Sequence, residues 1–293
     1  MARVLVTGAA GFSGRTIARR LVAAGCEVVA HRRSSPLPDD LAASASVTDW
    51  QGDLAELDAL PAGVEAVVHA AATSTPTGRA DAVPAEVLIR DNALASARLV
   101  DAARAAGVRR FVYLSSLSIH GTVNERSLDA STPIREPDPY GVSKLMGESV
   151  LSASGIPAVA IRLPAVIGPG ADRNWPVQVV RRIRRHETVR IYNADGPFNN
   201  VVHVDDVADW IAALLTAVEP MHGFNAVPVA SREPVPVRAA VATIAAGLGL
   251  DTHLEEVVAP RASFTIDTVA AQSLGFRPSA TVDALDRYAR DPD

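Results

Sequence analysis

The sequence predicts an α/β protein, a doubly wound parallel sheet (Rossmann-like) with a smaller C-terminal lobe. Three observations carry that expectation. Short β-branched runs alternate with longer Ala/Leu/Arg stretches through the first half of the chain, the pattern of strand-helix-strand units. A glycine-rich turn, Thr7 to Gly14, follows the first such run at once. The 293 residues, 48% hydrophobic and 21% charged, suffice for a large domain with an appended lobe and lie far from disordered compositions.

In chain order the predicted strands are Arg3 to Thr7, Glu27 to His31, a weak one near Val47, Glu65 to Ala70, Arg109 to Ser115 and Ala158 to Leu163. Helices are expected at Phe12 to Ala24, about Pro84 to Ala106, and Tyr140 to Ser154. Each ends near a glycine (Gly25, Gly107, Gly155) suited to a helix C-terminus. Residues 1–165 thus read as a dinucleotide-binding domain to which part of the later chain returns. After Pro164 the rhythm breaks into VIGPGADRNWP, a basic helix around Val179 to Arg185, a turn at Asp195-Gly196-Pro197, and VVHVDDVADWIAALL. Residues 166–293 are therefore expected to form mainly a substrate-binding lobe, with an amphipathic helix at Val237 to Leu248. The run RRIRRHE reads as a solvated helix face rather than a docking site for an acidic partner.

Charge narrows the partners. With 28 Lys plus Arg against 33 Asp plus Glu, the net charge of −5 offers no broad positive field for a phosphate backbone, so nucleic acid is not expected. The single cysteine, Cys26, can build neither an internal disulfide nor a multi-thiolate metal site, and no metal is expected. The N-terminal MARVLVTGAAG enters a strand pattern without the succession of a secretory signal. Apolar runs fall short of the ~18–20 residues needed to cross a bilayer. A soluble, cytoplasmic protein is the expectation.

The turn Gly8-Ala9-Ala10-Gly11-Phe12-Ser13-Gly14 lies between a predicted strand and a predicted helix, the context in which glycines admit a pyrophosphate to a helix N-terminus. Its spacing is one residue longer than the commonest dinucleotide fingerprint. At the end of the second strand, an acidic residue would accept from an NAD ribose, whereas arginines would meet the 2′-phosphate of NADP. The residues there are His31, Arg32, Arg33 and Ser34, and Arg15 could add a third cation. NADP is therefore expected, with NAD the alternative. Asp53 and Leu54 lie where the loop after the third strand could reach the adenine, although Asp53 could equally cap the helix that follows.

Tyr140 and Lys144 stand four apart at the start of a predicted helix and so share a face. A phenol is a poor acid/base at neutral pH, and a neighbouring ammonium is expected to favour its ionised form. Ser116, at the end of the fifth strand, is placed to share a substrate oxygen with that phenol. The three residues predict proton transfer beside a nicotinamide.

With these motifs the chain resembles the extended short-chain dehydrogenase/reductases, the NAD-dependent epimerase/dehydratase-like group of sugar-nucleotide epimerases, dehydratases and ketoreductases. The matching stretches, which span nearly the whole length, are TGAAGFSG, VVHAAA, Asn92, YLSSLSIHG, DPYGVSKLMGE, IRLPAVIGPG and NNVVHVDDVA. The resemblance implies that Ser116 is the catalytic hydroxyl, Tyr140 the acid/base, and Lys144 its modulator, which also holds the nicotinamide ribose. It implies that His69, Ala70 and Ala71 line the cofactor, and that a homodimer forms through the two long helices. His203 and Asp205 match a motif that secures the lobe.

Departures matter too. Ala165 stands where sugar-nucleotide epimerases carry an asparagine, and Leu117 and Ser118 replace the Asp-Glu pair of the dehydratases, which makes a sugar dehydratase improbable. Candidate substrate contacts are Ser116, Ser118, His120, Trp175 and Asn200, with Arg181, Asn193 and Phe198 also in the lobe. The function expected is hydride transfer to or from a carbonyl or alcohol of a small molecule, such as a sugar or sugar nucleotide. An epimerase that retains its NAD is the alternative, and a non-catalytic cofactor-binding sensor is a third reading.

Overall fold

The computed structural model describes residues 2–75, 82–259 and 261–293. The chain runs through β1 (Arg3–Thr7), α1 (Phe12–Ala23), β2 (Glu27–Arg32), α2 (Asp39–Ala42), β3 (Val47–Gln51) and β4 (Ala66–His69). A long helix follows, from α3 (Ala85–Leu88) through a π-helical stretch (Ile89–Leu94) into α4 (Ala95–Ala105). Next come β5 (Arg110–Ser116), β6 (Ser127–Leu128), α5 (Pro139–Ala153), β7 (Ala158–Leu163), β8 (Ala165–Ile167), α6 (Trp175–Arg184) and β9 (Val189–Tyr192). The remainder is β10 (Pro197–Phe198), β11 (Val201–His203), α7 (Val204–Thr216), β12 (Phe224–Pro228), β13 (Val235–Pro236) and α8 (Val237–Leu248). It ends with β14 (Leu254–Val257), β15 (Thr265–Ile266), α9 (Val269–Ser273) and α10 (Thr281–Arg290).

Seven parallel strands form the main sheet in the order β12-β7-β5-β4-β1-β2-β3. Both faces are covered, which is why its central strands are continuous apolar runs rather than alternating ones. On β1, Val4 and Val6 point into one layer with Ile17 and Leu21 of α1 and Trp210 and Ile211 of α7. Leu5 points into the other, with Leu99 of α4 and Leu151 of α5. The expected strands are all present, their ends displaced by a residue at most. The seventh, β12, was missed because its run FNAVP is short and carries an asparagine and a proline.

Two elements of the later chain complete this sheet. β12 pairs with β7, and α7 packs on α1 within the shared core. Arg110, at the start of β5, donates to the carbonyls of Leu214, Leu215, Ala217 and Glu219. Its cation thereby satisfies the free C-terminal acceptors of α7. The lobe has a separate core in which α6, α8 and α10 bury Val180, Ile183, Val241, Ile244, Leu285 and Tyr288. The basic run lies on α6, starting earlier than expected because Asn174 caps Val177 N–H and Pro176 fills the first turn. Two of its arginines are paired within the chain, Arg182 with Glu187 and Arg184 with Asp293.

Candidate functional site

A cleft crosses the C-terminal ends of the sheet strands, where the strand order reverses and doubly wound folds take their ligands. It has two adjoining parts that share Gly8, Gly11, Ala70 and Ala72. One, of about 270 Å³, is walled by His31 to Ser35, Gly52 to Leu54 and Asp91. The other, of about 570 Å³, is walled by Phe12 to Arg15, Ser115, Ser116, Tyr140, Leu163 to Val166 and Gly170 to Asn174.

The glycine turn lies between them. Gly8 has φ +67°, and a Cβ there would stand 2.8 Å from Ala71 Cα and 2.9 Å from its nitrogen, so the close approach of β1 to the loop after β4 needs glycine. A Cβ on Gly14 would run into the Gly8 carbonyl. Gly11 is the N-cap of α1 and brings no side chain to it, leaving the first N–H groups of the helix open to an anion. Buried hydrogen bonds fix this cradle from below. Thr7 Oγ1 accepts from Ala70 N and Ala71 N at 3.1 Å, and pairs with His69 Nδ1 at 2.7 Å. His31 Nδ1 accepts from Gly8 N at 3.4 Å, while its Nε2 donates to the Gly52 carbonyl at 3.0 Å. A turn of this shape fits a dinucleotide pyrophosphate.

At the end of the cleft walled by β2, Arg32 pairs with Asp49 and Arg33 with Asp91, both at 2.8 Å. Asp53 lines the cleft beside Leu54 and caps Ala55 N–H at 3.0 Å. The Arg90 guanidinium, bonded to Asp53, holds that carboxyl below its usual range. Arg15 leans on the Phe12 ring and donates to the Pro169 carbonyl, tying α1 to the loop beyond β8.

In the other part β5 delivers Ser116 and the first turn of α5 delivers Tyr140, both into the same wall. Asp138 caps α5 through Gly141 N–H at 2.7 Å, which sets where that turn begins. Burial pushes the Tyr140 phenol up to about 12, opposed by a hydrogen bond with the Ser116 hydroxyl and by the charge of Arg173. Lys144 is 2% exposed, and burial brings its ammonium down to about 7 against the pull of Glu148. The expected tuning of the phenol by this lysine is thus not the arrangement found. Its Nζ lies 4.1 Å from the centre of the Tyr113 ring, and the cation acting on Tyr140 is Arg173.

Four candidate substrate residues lie outside the cleft lining: Ser118, His120, Trp175 and Asn200. The single turn Leu117–His120 folds His120 inward, where it is fully buried with Nε2 3.3 Å from Arg162. Ser118 gives its N–H to Ser116 Oγ at 3.1 Å. Trp175 packs edge-on against Phe198 at 5.1 Å within the lobe core. Asn200 is half-buried. Arg181 donates to the Asp172 carbonyl and Asn193 to the Arg261 carbonyl. His203 caps α7 through Asp205 N–H, and burial brings it down to about 4.

Sequence reasoning marked Asn92 as a matching position but gave the supporting side chains no role. Asn92, in the π-helical stretch, donates to Thr73 O and Ser143 Oγ and accepts from Thr73 N, joining the loop after β4 to α5. Arg162 of β7 is bonded through two nitrogens to Glu148 of α5, which also accepts from Ser115 at 2.5 Å. A lone arginine in the apolar run AVAIRL, and a glutamate one turn beyond Lys144, were the available signals. Arg173, reaching Ser74 across the cleft mouth, gave none. Among the described residues no group of three or more His, Cys, Asp or Glu side chains is placed to hold a metal ion, and no helix is long and apolar enough to cross a membrane.

Comparison with known proteins agrees with this architecture. Residues 4–227 match the NAD dependent epimerase/dehydratase family. A UDP-glucose 4-epimerase of Streptomyces lividans is 30% identical over 71% of this chain and 69% of its own. A 2-alkyl-3-oxoalkanoate reductase of Stenotrophomonas maltophilia is 29% identical over 93% of this chain and 81% of its own. Among solved structures, MoeE5 in complex with UDP-glucuronic acid and NAD superposes with a TM-score of 0.80 at 29% identity, covering all of both chains. The chain belongs to the NAD dependent epimerase/dehydratase family and is a nicotinamide-dependent oxidoreductase of the extended short-chain dehydrogenase/reductase type.

Proposed function

We propose that the protein transfers hydride at a C–O centre of a sugar nucleotide, with Tyr140 moving the proton and Ser116 holding the substrate oxygen. One observation carries this: Ser116 and Tyr140 share the wall of a cleft whose other half is a glycine-lined pyrophosphate cradle. When bound, the nicotinamide supplies or accepts the hydride. Tyr140 gives its proton to the oxygen of a carbonyl or takes it from an alcohol, and Ser116 keeps that oxygen within reach. Arg173 is the cation that favours phenolate as the proton leaves, and Lys144 would hold the nicotinamide ribose. Gly8, Gly11, Phe12, Ser13, Gly14, Ala70 and Ala71 hold the cofactor backbone, with Asp53 and Leu54 at the adenine.

NADP is the preferred cofactor. The end of β2 carries no carboxylate for a ribose 2′-hydroxyl, and Arg32 and Arg33 line the cleft there. The sugar-nucleotide assignment is supported by the substrates named for similar proteins, UDP-glucose and UDP-glucuronic acid. An epimerase is the second reading, favoured by the full-length likeness to a protein holding UDP-glucuronic acid with NAD. Incubation with UDP-glucose or UDP-glucuronic acid and each cofactor separates the two. Stoichiometric change in reduced cofactor supports net oxidation or reduction, and a C4 isomer formed without net change supports epimerisation. Neither product with any of the pairs would overturn the sugar-nucleotide assignment.

A homodimer through α4 and α5 is part of the proposal. Ile89 and Leu94 on the first long helix and Val142 and Met146 on α5 are 39–49% exposed, a cluster that a second copy would cover. Sedimentation of wild type against a Leu94→Glu/Met146→Glu variant tests it, with the variant expected to run as a monomer.

A further inference from the structure

We propose that Tyr113 is a positioning residue for Lys144: the face of its buried ring seats the ammonium beneath the cleft, with Glu148, one turn along α5, as the facing countercharge. This rests on the reading of Lys144 as the working lysine. Tyr113 is 1% exposed and comes from the middle of β5, three residues before Ser116. Lys144 Nζ stands 4.1 Å from its ring centre, within the range where a desolvated ammonium is held by an aromatic face.

The ring is clamped. Its hydroxyl donates to the Lys144 carbonyl at 3.4 Å, and a Cβ at Gly147 would run into the same oxygen. His69 is stacked on the same ring with centroids 5.4 Å apart and planes 29° from parallel. His69 is itself fixed between Thr7 Oγ1 and Ser96 Oγ. The layer beneath the cleft therefore runs without a break from the phosphate turn to the lysine.

Every other group facing the ammonium suits a single positive charge. Burial holds His69 of β4 well below its ordinary value, with the charge of Lys144 adding to the effect, so it stays neutral. Tyr113 of β5 is pushed above its ordinary value by burial and stays a neutral ring. On α5, Tyr140 is likewise raised and neutral, and Glu148 is the carboxylate. Arg162 of β7 lies beyond Glu148 and is bonded to it. Lys144 titrates at about 7, so a small change in its support has a large effect on its charge.

Lys144 is the only lysine of the sequence, so ¹³Cε/¹Hε spectra of the full chain labelled on lysine carry one signal and test the seat directly. Its ε protons should lie upfield of their position in the unfolded chain, and the signal should titrate near 7. Tyr113→Phe should keep both features. Tyr113→Leu should lose the upfield shift and titrate about one unit lower, which at pH 7 leaves roughly fivefold less charged lysine. An unshifted Lys144 signal in the wild type would overturn the proposal without any variant having to fold, and so would an unchanged midpoint in Tyr113→Leu. Retained turnover in Lys144→Met would instead overturn the reading of the lysine, and the ring-current shift would still report on the seat.

Discussion

At the β2 end of the cleft the guanidiniums of Arg32 and Arg33 rest on Asp49 and Asp91, and each pair keeps one member in water: Asp49 is 45% and Arg33 55% exposed, against 20% for Arg32 and 9% for Asp91. At the end walled by Ser115 and Ser116, Arg162 and Glu148 form their pair with side chains only 10% and 4% exposed. A pair with one member in water contributes little, and its arginine can exchange the carboxylate for a ligand phosphate. A buried pair cannot let go, because the partner left behind keeps an uncompensated charge out of water. The cleft thus couples an adaptable end, whose ion pairs stand partly in water, to an end locked by desolvated charge. Substitutions that respect this difference should separate binding from chemistry.

The largest effect is expected at the phenol. Tyr140→Phe removes the proton donor and keeps the ring, so turnover should fall by roughly 10²–10⁴ while cofactor affinity, measured by fluorescence titration, stays within a few-fold. Retained turnover would break the assignment of the reactive end. Glu148→Gln comes next. It strips Arg162 of its countercharge, and chemical denaturation should report a loss of about 3–5 kcal/mol. A loss under 1 kcal/mol would mean that water reaches the pair.

How much of this was legible depended on whether the signal was local. The strand-turn-helix from Arg3 to Ala23 could be read because consecutive residues build it and the glycines answer a local steric need. The Tyr140 and Lys144 spacing could be read as one helix face. Helix α10 was legible and went unread, since its buried positions 281, 284, 285, 288 and 289 follow helical spacing. His120, which could face a substrate or fill interior space, could not be placed because its neighbour there is Arg162, forty-two residues later. The orientation of Lys144 escaped for the same reason. Helical spacing says which face a lysine is on, and packing against β5 decides whether it turns to Tyr140 or to Tyr113.

At the adaptable end the expected effects are smaller and selective. Arg33→Ala should weaken NADP roughly tenfold or more, as loss of a charge-assisted phosphate contact implies, and leave NAD nearly unchanged. Isothermal titration with both cofactors measures it. Equal losses for the two would assign Arg33 to holding Asp91 rather than to the 2′ position.

The smallest predicted effect is a slope of stability with pH. Lys144 is held near 7 in the folded chain and titrates at about 10.4 when unfolded. Between those values the unfolded chain binds a proton that the folded chain does not, so stability rises with pH, by at most about 1.4 kcal/mol per unit. Below about 7 both states carry the proton and the burial penalty is fully present. Cys26, whose thiol burial raises, works in the opposite direction once the unfolded thiol ionises, above about 8.5. Tyr140, raised to about 12, enters only beyond pH 10. The contribution of the lysine is therefore the difference between wild type and Lys144→Met over pH 7 to 8.5. The wild-type melting temperature should climb relative to the variant, and parallel curves would mean that the ammonium is solvated and the reactive end less dry than its geometry implies.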